Sequence, residues 1–98
     1  MSNTNIDATI QQFEFTFELG WKFLKKYFLT KDILLNNPKE VLQEAFVVGL
    51  IGNEKVWLQM LTDQSNTSHT YDEKLADELY MRIRGYVADL KQLLNIKL

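Results

Sequence analysis

The sequence has no cysteine, one proline, one histidine and four glycines among its 98 residues. Without cysteine there are no disulfide staples, thiolate zinc ligands or thiol nucleophiles, so stability has to come from packing. A single histidine, His69, restricts acid–base chemistry near neutral pH to very few positions. No apolar run approaches the roughly 18 residues of a membrane span. The polar start Met1-Ser2-Asn3-Thr4-Asn5 also lacks the basic and apolar regions of a secretory signal, which predicts a cytoplasmic protein with no membrane partner. An excess of charge is missing too. With 11 basic and 13 acidic side chains the net charge is -2, so no global basic field holds nucleic acid and any RNA contact has to be local. The phosphate-cradling patterns G-x-x-x-x-G-K and G-x-G-x-x-G do not occur, which excludes nucleotide-binding enzymes of those two classes. Nothing points to a cofactor.

What is present is apolar, aromatic and helical in period. At 46% hydrophobic and 24% charged, the chain has the balance of one domain, residues 1–98, that buries its own core. Ile6, Ile10, Phe13, Phe17, Trp21, Leu24 and Phe28 recur at steps of three and four and predict a long first helix. A second row, Phe15, Leu19, Phe23 and Tyr27, makes an adjoining face apolar as well, which calls for two neighbours or for another subunit. Glu14 and Glu18 are placed to pair with Lys22 or a partner, or simply to face solvent.

Asn37-Pro38-Lys39-Glu40 supplies a cap, a proline at the first helical position and a capping-box glutamate, so a second helix starts there. Val41, Leu42, Ala45, Phe46 and Val48 or Gly49 give its stripe, and Gly49 to Gly52 ends it. Asn53 caps a short third helix bearing Val56, Trp57, Met60 and Leu61. The stretch from Thr62 to Tyr71 has no apolar stripe and reads as a loop or a polar helix end. Thr70 to Glu73 has capping-box spacing for a last helix, with Leu75, Leu79, Ile83, Tyr86 and Leu90 inward. Nothing alternates like a strand, so the predicted fold class is all-α, a small antiparallel helical bundle.

The polar run from Asp63 to Tyr71 is the first place to look for chemistry. The hydroxyls of Ser65, Thr67 and Ser68, beside a helix start, suit contact with a substrate or phosphate, and His69 is able to move a proton. The same residues also serve as caps, with His69 bonded to a backbone carbonyl. Asp63, His69 and Asp72 make a poor metal set, and no metal is expected.

Three strings then look familiar: Asp7 to Lys22 in the first helix, Pro38 to Phe46, and Trp57 to Leu61 with Thr67-Ser68-His69-Thr70-Tyr71. Together they resemble the nucleotidyltransferase substrate-binding family, small helical proteins of the HEPN class. The resemblance implies a bundle that forms a homodimer and partners a separately encoded minimal nucleotidyltransferase, which supplies the nucleotide and metal sites. Many HEPN relatives are toxins of toxin–antitoxin pairs, metal-independent endoribonucleases with an Arg-x4-His motif near the dimer interface. Here His69 stands at the motif histidine, but Gln64 occupies the arginine position and Ser65 follows it. A glutamine brings no positive charge to a phosphorane-like transition state, which argues for an accessory binding subunit over an RNase. Should RNA be cleaved, Gln64 and His69 are the catalytic candidates. Tyr71, in the His-x-Tyr ending, is the candidate nucleotide acceptor, or else an aromatic staple. Family members usually carry a helix before the one that starts near Ile6, so the chain reads as one helix short.

Overall fold

The computed structural model describes residues 4–66 and 73–94, and within them places four helices and no strand. These are α1 (Thr4–Thr30), α2 (Pro38–Val47), α3 (Glu54–Ser65) and α4 (Glu73–Leu94). At about 1.5 Å per residue α1 is roughly 40 Å long, and it packs against each of the other three. It is the spine of an all-α bundle. Ile10, Phe13, Phe17, Leu24 and Phe28 of α1 are buried, the face that the periodicity predicts. Trp21 is only half-buried, its indole N–H donating to Glu18 Oε2 at 3.0 Å.

α4 runs back along α1. Ala8, Thr9, Gln12, Phe13 and Thr16 line one groove with Ile83, Val87 and Leu90, and the Phe13 and Tyr86 rings lie 5.7 Å apart. From the other side, Trp57 of α3 stacks on Phe17 at 6.4 Å. Each large side chain so buried contributes roughly 1.5–3 kcal/mol. The indole nitrogen of Trp57 is buried and finds no hydrogen-bond partner among the described residues.

Side chains and turns set the helix ends as the sequence implies, with one shift. Asn37 Oδ1 accepts from the Glu40 N–H at 3.0 Å, but the Glu40 carboxylate reaches back to the Asn36 N–H at 2.9 Å, one residue earlier than in a standard capping box. Beyond the last helical residue Val47, Gly49 closes off α2: at its φ of 82° the Gly49 N–H reaches Phe46 O and the Leu50 N–H reaches Ala45 O. Asn53 caps α3, its Oδ1 accepting from the Val56 N–H.

Three expectations are corrected. Phe46 and Val48 are exposed, because α2 stops at Val47 and buries only Val41, Leu42 and Ala45. Leu75 is exposed and Ala76 takes the inward position, since the buried α4 row runs Ala76, Leu79, Ile83, Tyr86 at steps of three and four. Of the two readings of the run from Thr62, the polar helix end holds as far as Ser65, where α3 stops, and what is corrected is the place of Asp63, which the helix carries into the interior. Thr70, the expected cap of α4, lies outside the described residues.

Candidate functional site

The last turn of α3 sends consecutive residues to two different neighbours. Trp57, Met60 and Asp63 follow one another at steps of three, so the periodicity that buries the first two also brings Asp63 inward. A buried carboxylate is costly unless it is paired and hydrogen-bonded. Arg82 of α4 supplies a fork, Nε to Oδ2 at 2.9 Å and Nη2 to Oδ1 at 3.0 Å. One turn further along α4, the Tyr86 hydroxyl donates to Oδ2 at 2.5 Å, and Gln59 Nε2 donates to Oδ1 at 3.4 Å. Both carboxylate oxygens are therefore satisfied. Donating to the Asp63 carboxylate raises the Arg82 pKa above its ordinary value, against some desolvation. Burial first, and then the bond to Asp63 and its charge, push the Tyr86 phenol well above its usual range, so it stays protonated.

Gln64 points elsewhere. Half-buried, it lines a cleft of about 400 Å³ with Gln11, Glu14, Phe15 and Glu18 of α1. Glu18 is held in place by Trp21 and by Lys22, whose Nζ lies 3.1 Å away. The Trp21 hydrogen bond, more than Lys22, lowers its pKa below the ordinary carboxylate value although desolvation opposes the shift. None of the five residues lining the cleft is basic, and two are carboxylates. An anion would gain little there.

Ser65 is exposed, and its hydroxyl donates to Leu61 O at 3.0 Å in the helix backbone, leaving only its lone pairs for a substrate. Thr67, Ser68, His69 and Tyr71 lie outside the described residues. The described part of the site is thus Gln64 at a cleft wall, with Ser65 beside it on the surface. The Asp63, Arg82 and Tyr86 cluster was not foreseen from the sequence. The single available signal was that Arg82 and Tyr86, four apart, share a face of α4. Among the described residues no group of three or more His, Cys, Asp or Glu side chains comes together to hold a metal, and no helix is long and apolar enough to cross a membrane.

Comparison with known proteins decides the family. The model of the family described as nucleotidyltransferase substrate binding protein like matches residues 1–97. The chain belongs to that family. A relative in this group, from Haemophilus influenzae, is named a probable ribonuclease HepT; it is 34% identical over 100 residues, which span 97% of this chain and 68% of that protein. A crystal structure from Thermus thermophilus shares 37% identity with a TM-score of 0.88, over 96% of this chain and 82% of that one. A Haemophilus influenzae structure, described as revealing the fold of a substrate binding domain of a nucleotidyltransferase, shares 35% identity with a TM-score of 0.84. It is matched over 95% of this chain and 73% of its own. The bundle described above is therefore the fold of the nucleotidyltransferase substrate-binding proteins.

Proposed function

We propose that this chain is an accessory, substrate-binding subunit that works as a homodimer beside a separately encoded minimal nucleotidyltransferase. The observation that carries the proposal is the match to that substrate-binding family across residues 1–97. The transferase chain would contribute the nucleotide and the metal, while this chain would present the substrate. The chemistry of the cleft agrees with a binding role. Gln64 offers amide hydrogen bonds at the position where the RNase motif has an arginine, and its neighbours Glu14 and Glu18 disfavour a phosphate. Ser65, Thr67 and Ser68 remain candidate substrate contacts, and Tyr71 a candidate acceptor of a nucleotide from the transferase. Coexpression with an adjacent transferase gene, followed by gel filtration, tests the proposal. A stable co-eluting complex is expected; two folded proteins that elute separately would overturn it.

A second reading, a cytoplasmic RNase toxin of a toxin–antitoxin pair, is favoured by one observation, the ribonuclease name of a relative that is 34% identical. Under it His69 is the general acid or base. It requires RNA cleavage by the purified protein that vanishes in His69→Ala and rises in Gln64→Arg. Intact RNA with both the wild type and Gln64→Arg sinks it.

A further inference from the structure

Every polar side chain on the wall of the Gln64 cleft brings an oxygen acceptor: the carboxylates of Glu14 and Glu18 and the amides of Gln11 and Gln64. Phe15 adds an aromatic ring. The two carboxylates are not equivalent. Glu18 is already engaged, its Oε2 accepting from the Trp21 indole and its Oε1 lying 3.1 Å from Lys22 Nζ. Those contacts fix it as an anion, with a pKa lowered chiefly by the Trp21 bond. Glu14, one turn earlier and half-buried, has no hydrogen-bond or ion-pair partner among the described residues. An open cleft of about 400 Å³ therefore combines one fixed negative charge, one uncompensated carboxylate, two amides and a ring, and its wall holds no cation.

We propose that the cleft binds a small organic amine, its ammonium group seated between Glu14 and the two glutamine amides, and that this is the class of substrate the chain presents. An ammonium has three N–H donors and no acceptor, and the wall supplies a carboxylate and two amide oxygens to receive them. The Phe15 ring gives the carbon skeleton an apolar surface, and its face attracts the positive charge. A divalent metal ion fits less well. It takes six or more oxygen ligands, Glu18 is occupied, and no third carboxylate or histidine joins the pair among the described residues. Position 64 then selects the ligand. An arginine there would set its own guanidinium against Glu14 and take the place of the ammonium, whereas glutamine leaves that charge open and adds an acceptor. The departure from the Arg-x4-His pattern becomes a change of ligand. The inference rests on the substrate-binding reading above and names the substrate class for the same cleft.

Spermidine is the probe. Titrated into the protein at low ionic strength, it is expected to shift the side-chain amide NMR signals of Gln11 and Gln64 and to bind with a Kd below about 1 mM. Glu14→Gln removes the charge and keeps the shape, and Gln64→Arg puts a cation into the cleft from within the chain. Each is expected to weaken binding by about fivefold or more. Glu54→Gln, in the first turn of α3 and about 15 Å along the helix from Gln64, is expected to leave the affinity unchanged. Magnesium chloride at matched ionic strength is expected to leave the amide signals in place. Amide signals that ignore spermidine, binding that survives both Glu14→Gln and Gln64→Arg, or an equal loss in Glu54→Gln would each overturn the proposal. The amine titration is independent of the transferase. A chain that co-elutes with the transferase but ignores spermidine loses this inference alone, and one that binds spermidine but elutes apart keeps the amine site and loses the accessory role.

Discussion

Replacing Tyr86 by phenylalanine removes the hydroxyl that donates to Asp63 but leaves the Arg82 fork in place. A hydrogen bond to a buried charge is worth about 1.5–3 kcal/mol, so the variant is expected to lose stability within that range in urea titrations. The effect should depend on pH with a definite sign. The native state keeps the Tyr86 proton above the pH at which an unfolded tyrosine, with a pKa of about 10, releases it. The contribution is therefore complete below about pH 10 and falls as the pH rises beyond it. Between pH 8 and pH 11 the wild type should lose more stability than Tyr86→Phe; equal losses would mean that another group controls the alkaline limb. This cluster was not legible in the sequence. Asp63 stood at the head of a polar run, and its partner Arg82 lies 19 residues away across a helix connection, beyond any local spacing rule. Gln64 was legible as a departure from a motif, but the carboxylates beside it were not, because they arrive from another helix.

Two glycines test the helices themselves. A Cβ added at either Gly49 or Gly85 would meet nothing within 4 Å, yet the expected outcomes have opposite signs. Gly85 is an exposed residue inside α4, where alanine is preferred by about 1 kcal/mol, so Gly85→Ala should raise the melting temperature by several degrees. Gly49 ends α2 with φ at 82°, where an L side chain is strained, so Gly49→Ala should lower it by a similar amount. Thermal unfolding of the two variants checks both signs. The start of α2 at Asn37-Pro38 and its end at Gly49 were legible because each rests on chemistry within a few residues. The end of α3 was not, since a paired Asp63 makes an inward position out of a polar residue. The exposure of Phe46 was missed for a related reason: a stripe counted along the sequence does not show where the neighbouring helices stop covering it.

For the whole molecule, the central place of α1 implies cooperative loss of structure, because α2, α3 and α4 all share it as a packing partner. In a Trp21→Phe background, the fluorescence of Trp57 and the circular dichroism should report the same urea midpoint; separated midpoints would mean that the α1–α3 and α1–α4 contacts fail independently. The all-α class followed from helical periodicity over most of the chain. The row of Phe15, Leu19 and Phe23 was legible as a second apolar face of α1, but its exposure was not, since a sequence does not say which of two apolar faces its own chain will cover. Trp57 adds one practical property. Its indole is buried, stacked on Phe17 and without a hydrogen-bond acceptor among the described residues, at the α1–α3 junction that also frames the Gln64 cleft. Such an indole emits at short wavelength, and a ligand that levers those two helices apart would let in water and shift the emission to the red. The protein thus has an optical gauge at the junction of the two helices that carry its candidate site, readable before the identity of the ligand is known.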